Sequence, residues 1–220
     1  MISKMNKNIL PDFKFERSLW KVGYKVVAGV DEVGRGCFAG SVVTGCVAFE
    51  KDTNIPDPIT INDSKKLRPR QREIAAVWIK KNALTWGIGE ASVSEINRLG
   101  MGKATKIAFR RAIAQAQKKA NIDFLLIDAF YIPYVSGLRR KNQKAIIDGD
   151  EKSISIAAAS IIAKVYRDKK MQTLGKAAKF KKYGWGRNKG YGTREHQNAI
   201  RDHGITRHHR KVFVETWISN

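Results

Sequence analysis

The order of apolar segments along the chain predicts an α/β domain built around a mixed β-sheet. Two valine-rich runs with the length of buried strands come first, at about residues 24–31 and 40–50. Further strand-like runs then alternate with segments of helical periodicity. Strands followed by such an alternation are typical of a mixed sheet flanked by helices. Short basic helices follow and form a small C-terminal extension.

The turn between the first two strands carries charge. Asp31 and Glu32 close the first run, and the glycine-rich triplet 34–36 follows directly. Carboxylates at the end of a buried strand are costly unless a cation meets them, and hard divalent cations such as Mg²⁺ prefer carboxylate oxygens. Gly34 and Gly36 have no side chains, so another backbone can approach closely. The Arg35 guanidinium can bind a phosphate through two parallel hydrogen bonds. The alternative is a plain β-hairpin with acids in its turn.

The remaining elements follow from periodicity, length and capping residues. The predictions are a helix near 69–82 with Ile74, Val77 and Trp78 on its inner face, a strand at 84–91, a helical stretch from Ser92 to about Ala120 that breaks at Gly100, strands at 123–128 and 145–147, a buried helix over 153–163, and a helix at 194–203 between Thr193 and Gly204. Residues 1–22 are predicted to be a basic segment, either a short helix or an arm. Residues 23–220 are predicted to form one domain.

The charge balance points to a polyanionic partner. Lysine and arginine number 42 against 20 aspartate and glutamate, which gives a formal net charge of +22 and an isoelectric point of about 10.2. An excess of this size predicts binding to nucleic acid first and to an anionic membrane second. The sequence shows no convincing basic amphipathic helix with a broad aromatic face, so no membrane partner is expected.

The lack of a recognisable targeting signal and the use of cysteine predict a cytoplasmic protein. No apolar run reaches the ~18 residues of a transmembrane helix, and the N-terminus lacks the apolar core of a signal peptide. Cys37 and Cys46 lie on or beside the central strands, without CxxC spacing and without a clustered histidine. They are therefore expected to be reduced core thiols rather than zinc ligands.

Two further acids stand where strands or helices meet. Asp128 ends the strand at 123–128, and Asp150 precedes the buried helix. Carboxylates that converge at one end of a sheet repel one another unless divalent ions neutralise them. Two such ions about 3.5–4 Å apart would also clamp the attacking and leaving oxygens of a phosphodiester. A lone strand-end Asp is more often a cap, and Asp148 competes with Asp150 for the fourth position.

Five ordered motifs resemble those of the ribonuclease HII family. They are DEVGRG at 31–36, DSKKL at 63–67, LLIDAF at 125–130, GDEKSISIAAASIIAKVYRD at 149–168 and KGYGTREH at 189–196. The resemblance covers about residues 24–213. It implies an RNase H-like fold with a five-stranded mixed sheet and an endonuclease that depends on Mg²⁺ or Mn²⁺. It also implies cleavage of RNA in RNA–DNA hybrids and incision 5′ of single ribonucleotides embedded in duplex DNA, leaving 3′-hydroxyl and 5′-phosphate ends.

The resemblance also implies roles for individual residues. The catalytic metal ligands would be Asp31, Glu32, Asp128 and Asp150. The backbone of Gly34, Arg35 and Gly36 would read the 2′-hydroxyl, and Tyr191 would stack on the sugar at the RNA–DNA junction. The expected phosphate contacts are Ser64, Lys65, Lys164 and Arg167, although for each lysine a solvated surface charge is the simpler interpretation. A monomer is expected, also by resemblance.

The chain departs from the family pattern at three positions. Asn188 stands where the family usually has His, Ala129 replaces a usual Gly, and Cys37 replaces a usual Pro. None of these changes removes a predicted metal ligand. The basic segment over 164–190 is interleaved with aromatic residues, which favours nucleic-acid binding.

Other functions fit parts of the pattern. One is a basic nucleic-acid-binding protein without catalysis, which would be expected to have lost at least one acid. Others are the sister type, ribonuclease HIII, or another nuclease of the wider RNase H-like group. The histidines are given no catalytic role: His196 is expected to be structural on its helix, and His208 and His209 are expected on the basic surface.

Overall fold

A five-stranded mixed β-sheet forms the centre of the computed structural model, which describes residues 10–219. The strands are β1 Val27–Val33, β2 Val42–Ala48, β3 Thr85–Ala91, β4 Phe124–Asp128 and β5 Gln143–Ile146. Their spatial order is β3-β2-β1-β4-β5. The β1–β2 and β2–β3 pairs are antiparallel, whereas β1–β4 and β4–β5 are parallel. The predicted fold class is confirmed.

Helices cover both faces of the sheet and make up the C-terminal extension. They are α1 Lys14–Lys21, α2 Pro69–Asn82, α3 Val93–Leu99, α4 Met101–Gln117, α5 Ile154–Lys176, α6 Trp185–Asn188, α7 Arg194–His203 and α8 Lys211–Ile218. The predicted break at Gly100 and the predicted ends of α7 are confirmed. None of the helices within residues 10–219 is long and apolar enough to cross a membrane.

Helix α5 lies directly on the sheet because two strand positions have no side chain. A Cβ atom at Gly29 in β1 would overlap the backbone of Ser155, and one at Gly45 in β2 would overlap the backbone of Ala159. The facing turns of α5 are rich in alanine, which allows the close approach. On the other face, α4 packs Phe109 and neighbouring small residues against β1, β2 and β4.

The helix predicted over 153–163 is longer than its apolar stretch. The Ser153 hydroxyl accepts a hydrogen bond from the Ile156 amide at 3.3 Å and caps the N-terminus of α5. The helix then continues to Lys176, well into the basic segment. One rigid element therefore connects the buried end of the fold to the basic surface.

The inner face predicted for α2 is confirmed at Trp78, which packs against the core beside Phe49, but is wrong at Ile74 and Val77. Ile74 and Val77 are 47% and 70% exposed, whereas Ala75, Ala76 and Ile79 are buried. The reason lies in the partner helix: α2 packs against the small-residue surface of α5, where alanines permit a closer contact than branched side chains.

Helix α1 belongs to the core of the domain. The buried Glu16 carboxylate accepts hydrogen bonds from the Ser153 hydroxyl at 2.7 Å and the Ser155 amide at 2.9 Å. Phe13 and Trp20 pack in the same apolar cluster as the α5 alanines. Of the two alternatives for the N-terminal segment, residues 10–22 therefore take the helical one, and residues 1–9 lie outside the described part of the chain.

The other boundaries differ from the predictions by a few residues. Strand β5 ends at Ile146, and Ile147, which was predicted to lie in the strand, is 72% exposed. Cys37 and Cys46 are free thiols and fully buried, as expected.

Candidate active site

The sheet brings three of the predicted carboxylates to one edge. Asp31 and Glu32 lie near the end of β1, and Asp128 is the last residue of β4. Because β1 and β4 are parallel neighbours with Val30 opposite Ile127, Asp31 and Asp128 follow at the same level. The sequence placed these acids at strand ends, and the topology makes the ends adjacent.

Asp150 reaches the same edge through a short connection. The Gly149 amide donates a 2.9 Å hydrogen bond to Asp128 Oδ1. Asp150 follows in a 3₁₀ turn and is only 8% exposed. The competing Asp148 is exposed and adopts a left-handed conformation with φ of 53°. Of the two acids, Asp150 is therefore the one that is buried close to Asp128.

Asp63 is a fifth acid that the sequence reasoning missed. It is 6% exposed and lies close enough to Asp150 to raise the pKa of that carboxyl. Its own Oδ1 accepts a hydrogen bond from the Lys65 amide at 2.9 Å. The signal was present in the DSKKL motif, where the first residue is an acid in a turn.

Burial and mutual repulsion raise the pKa values of the clustered acids. The pKa of Asp31 lies well above its usual range because of burial and the charge of Glu32, and the Ser160 hydroxyl offsets part of this rise. Burial raises the pKa of Glu32 against the opposing effect of Arg35. For Asp150, burial and the charges of Asp63 and Asp128 raise the pKa to about 6. These carboxyls are costly to ionise together without a cation.

The loop after Glu32 has the backbone geometry that glycine permits. Gly34 has φ of +92°, and a Cβ atom there would overlap the side chain of Arg167. A Cβ atom at Gly36 would meet no atom within 4 Å, so the backbone at this position faces open space. The Arg35 guanidinium lies 3.2 Å from Glu32 Oε1, and its side chain remains 52% exposed.

Tyr191 stands beside this loop. Its backbone pairs with Cys37 in an isolated antiparallel bridge, which places it next to the end of the glycine triplet. Its side chain is 39% exposed, and the Lys164 ammonium lies 5.7 Å from the centre of the ring. Asn188 stabilises the connection, because its Oδ1 accepts from the Gly190 amide at 2.8 Å. An exposed ring, an open backbone and a cluster of carboxylates thus lie in one region.

The ribonuclease HII family model matches residues 28–218, a span that contains these carboxylates, the glycine triplet and Tyr191. The chain belongs to the ribonuclease HII family. It is therefore an endoribonuclease, and members of this family act on RNA–DNA hybrids with divalent metal ions.

Individual relatives agree with this assignment. A ribonuclease HII of Wolbachia pipientis subsp. Culex pipiens (strain wPip) is 47% identical over 205 residues, which cover 93% of this chain and 96% of that protein. The RNase HII of Archaeoglobus fulgidus, solved in complex with PCNA, superimposes with a TM-score of 0.69 at 26% identity over 84% of this chain and 93% of that one. Bst-RNase HIII, solved with Mn²⁺, shares the fold with a TM-score of 0.68 at 17% identity, over 91% of this chain and 71% of that one.

The chemistry of the clustered acids fits hard divalent cations. Glu32 Oε2 is buried and receives no hydrogen bond from residues 10–219, which leaves one carboxylate oxygen without a partner. Within that range, no three or more His, Cys, Asp or Glu side chains are already arranged as a metal site. Mg²⁺ is commonly held by one or two carboxylates together with waters and substrate phosphates, so an open set of acids suits it.

The four residues predicted to contact phosphate differ in their exposure and in their partners. Lys65 is exposed, and the acids Asp63, Asp150 and Asp31 raise its pKa against the opposing effect of burial. Lys164 pairs with Asp168 at 2.9 Å. Ser64, in contrast, is 2% exposed, and its hydroxyl lies 3.0 Å from the Ser160 hydroxyl.

The prediction that Arg167 contacts phosphate does not fit its position. Its side chain is fully buried, and its guanidinium donates to backbone carbonyls rather than facing solvent. Lys164 and Arg167, one helical turn apart on α5, therefore do not reach the same strand of substrate. Helix α5 turns Lys164 towards Tyr191 and Arg167 into the protein.

The expectation for His209 is also wrong. His209 is 1% exposed, and its Nε2 lies 3.1 Å from Nε2 of the buried His196. His196 Nδ1 lies 2.9 Å from the Tyr191 carbonyl oxygen, so a buried histidine pair supports the segment that carries Tyr191. The sequence shows two basic-looking histidines at 208 and 209, and only packing distinguishes the half-buried His208 from the core residue beside it.

Proposed function

We propose that this ribonuclease HII incises duplex DNA on the 5′ side of a single embedded ribonucleotide, leaving 3′-hydroxyl and 5′-phosphate ends. It thereby serves ribonucleotide removal from DNA in addition to cleavage of longer hybrids. The observation that carries the proposal is the proximity of the open backbone at Gly36, the exposed ring of Tyr191 and the clustered acids. A backbone and a ring face read sugar shape without reading base sequence.

The four acids Asp31, Glu32, Asp128 and Asp150 are assigned as the ligands of two divalent cations, either Mg²⁺ or Mn²⁺. Bound there, the two cations supply a water of lowered pKa and stabilise the charge on the leaving 3′-oxygen. The unpartnered Glu32 Oε2 and the mutual repulsion of the acids support this assignment.

Neighbouring groups hold these carboxylates in place. The Glu32 amide donates to Asp31 Oδ1 at 2.7 Å, and the Gly149 amide donates to Asp128 Oδ1 at 2.9 Å. Arg35 holds Glu32 Oε1, so that the other carboxylate oxygen is left for a cation. Such fixed orientation reduces the reorganisation needed during the reaction.

Substrate reading is assigned to the glycine triplet and to Tyr191. Within residues 10–219, the amides of Gly34, Arg35 and Gly36 donate no hydrogen bond, so they can donate to a 2′-hydroxyl or to a phosphate oxygen. The Tyr191 ring would stack on the sugar at the junction. The exposed Lys65 and the half-buried Lys164 are the candidate phosphate contacts.

The partners proposed for the chain are nucleic acids. The net charge of +22 supports strong attraction to a duplex backbone. The A. fulgidus relative was solved in complex with PCNA. A monomer suffices for the proposed site, because one chain supplies all of the acids.

The test is cleavage of duplex DNA that carries one ribonucleotide, with Mg²⁺, with Mn²⁺ and with EDTA. Incision 5′ of the ribonucleotide with either metal, and none with EDTA, is the expected result. An all-deoxy duplex of the same sequence is the control and should stay intact. Cleavage of long hybrids alone would keep the family activity but overturn the proposed reading of a single ribonucleotide.

A further inference from the structure

Two fully buried arginines lie beneath the loop that contains the glycine triplet. Arg167 on α5 and Arg210 just before α8 are both 0% exposed. Neither forms a salt bridge with a carboxylate in the described part of the chain. Burial of a charge without an opposite charge is expensive. Their presence therefore calls for a physical explanation.

Each of the three guanidinium nitrogens of Arg167 donates to a backbone carbonyl. Nε donates to the Ser41 carbonyl at 3.0 Å, and Nη2 donates to the Ala39 carbonyl at 3.0 Å. Nη1 donates to the Lys189 carbonyl at 2.8 Å, two residues before Tyr191. One guanidinium thus joins the loop after the triplet to the segment that carries Tyr191.

Arg210 holds the same loop from the C-terminal side. Its Nε donates to the Gly40 carbonyl at 2.8 Å, and its Nη1 donates to the Arg35 carbonyl at 2.7 Å. Its backbone amide donates to the Phe38 carbonyl at 2.8 Å. Nη2 is buried and donates to no group in residues 10–219. Arg210, which is far from the carboxylates in sequence, therefore supports this loop from its inner side.

These contacts turn the carbonyls of the loop inward. The oxygens of Arg35, Ala39, Gly40 and Ser41 all accept from the two guanidiniums. The amides of the triplet remain without a partner in the same region. The loop therefore has fixed acceptors on its inner side and free donors within the triplet.

The peptide unit between Arg35 and Gly36 shows the arrangement most directly. Its oxygen accepts from the Arg210 guanidinium at 2.7 Å, and its N–H is the free amide of Gly36. A cation that binds a carbonyl polarises the whole peptide group, so the N–H on the other side becomes a stronger donor.

We propose that Arg167 and Arg210 are positioning residues for ribonucleotide recognition. They hold the triplet with its amides free and place fixed positive charge beneath it, and through the Arg35–Gly36 peptide Arg210 strengthens the donor that meets the 2′-hydroxyl. The inference rests on the proposed function, because it concerns how the same loop recognises a ribonucleotide. Neither arginine touches the substrate.

The test compares binding to two duplexes in EDTA, where no hydrolysis occurs. One duplex carries a single ribonucleotide and the other carries the deoxynucleotide at the same position. In Arg210→Lys the charge stays, but one ammonium lacks the fork that serves the Gly40 and Arg35 carbonyls. We expect this variant to bind the ribonucleotide duplex about tenfold more weakly, whereas the affinity for the all-deoxy duplex stays unchanged.

Two further variants separate positioning from charge and from folding. Arg210→Met removes the charge and should lose the preference more completely. Arg207→Met, at an exposed position three residues earlier, is the control and should weaken binding to both duplexes equally or not at all. Thermal unfolding establishes that each variant is folded, and if Arg210→Met is not, Arg210→Lys decides the question.

The outcomes are distinguishable. If wild type prefers the ribonucleotide duplex and folded Arg210 variants keep the same preference, the positioning role is overturned and the proposed function stands. If wild type itself shows no preference, the proposed reading of the 2′-hydroxyl fails, and this inference fails with it. A selective loss of the preference, with a shifted Gly36 amide resonance, supports the role.

Discussion

The Gly149 amide donates a 2.9 Å hydrogen bond to Asp128 Oδ1, and this contact joins the end of β4 to the turn that carries Asp150. A Cβ atom at Gly149 would contact the side chain of Ile156 on α5, so the turn lies tightly between the strand and the helix. This hydrogen bond thus fixes the position of Asp150 relative to Asp128, although 21 residues separate Gly149 from Asp128 in the sequence.

Asp31→Asn should abolish cleavage and leave hybrid binding intact. The substitution preserves shape but removes the charge that a divalent cation needs, and the basic surface that binds the duplex is unchanged. The measurement is a cleavage assay in Mg²⁺ together with an affinity measurement in EDTA. Full activity of this variant would contradict the assignment of the site.

Asp148→Asn serves as the matched control for the acids. Asp148 is exposed, and asparagine tolerates the left-handed conformation with φ of 53° that it adopts. We expect wild-type cleavage from this variant and strongly reduced cleavage from Asp150→Asn. The reverse pattern would exchange the roles of the two acids.

Asp150→Asn should stabilise the metal-free protein at neutral pH. The folded-state pKa of about 6 lies above the usual 3.8, so ionisation of Asp150 destabilises the fold above about pH 6 and does so no longer below about pH 3.8. Removal of the charge should raise the free energy of unfolding by about 1 kcal/mol at pH 7.5, allowing for solvent screening.

Thermal unfolding with and without Mg²⁺ measures this effect. Mg²⁺ should stabilise wild type more than Asp150→Asn, because the ion relieves a repulsion that the variant lacks. Equal stabilisation of both proteins by Mg²⁺ would argue against Asp150 as a ligand. Asp148→Asn should respond to Mg²⁺ as wild type does.

Tyr191→Ala should slow incision at a single embedded ribonucleotide about tenfold or more, the size of a lost stacking contact. Tyr191→Phe keeps the ring and should retain most of the rate. The assay compares initial rates on the single-ribonucleotide duplex and on a long hybrid. An unchanged rate for the alanine variant would count against the role given to the ring.

Lys164→Ala should reduce the salt dependence of duplex binding. Each phosphate contact contributes a slope of about −0.9 to log K against log salt, so the slope should become shallower by about that amount. Lys118→Ala, at the exposed C-terminal end of α4, should leave the slope unchanged. Titrations of a hybrid over a range of salt concentrations provide the test, and a flat profile for wild type would contradict the electrostatic interpretation.

Acid should weaken the support of Tyr191 through the histidine pair. Burial and the neighbouring His196 lower the pKa of His209 to about 4 from 6.5, and burial lowers that of His196. Because the folded-state pKa is depressed, the contribution of His209 to stability is complete above pH 6.5 and is lost as the pH falls towards about 4.

The hydrogen-bond network explains why both rings are neutral. His209 Nδ1 accepts from the Thr206 amide at 2.8 Å, so its Nε2–H donates to His196 Nε2, and a proton added to either ring would break the pattern. His209→Gln should flatten the decline in unfolding temperature between pH 6.5 and pH 4. The exposed His203→Gln is the control and should follow wild type.

The sequence was sufficient for features that depend on local pattern. The strand runs, the caps at Ser92 and Thr193 and the break at Gly100 all depend on neighbouring residues, and the structure confirms them. The convergence of Asp31 and Asp128 followed from strand ends in a parallel pair. Local periodicity and turn chemistry carry this information directly.

The features that were mispredicted depend on packing between distant segments. The inner face of α2 is set by the surface of α5, and Arg167 points inward because carbonyls from two loops surround it. His209 is buried by α6 and α7 rather than by its own neighbours. A charged or polar residue type alone does not reveal whether the fold supplies partners for it.

The absence of side chains at Gly29 and Gly45 means that the thickness of the layer between sheet and α5 is fixed by backbone alone. Asp31 on β1 meets the Ser160 hydroxyl on α5 across this layer. A single added methyl group would therefore act as a wedge that separates the two halves of the catalytic region. A mutational scan should find inactivating substitutions in the middle of β1 and β2, at positions that never meet nucleic acid.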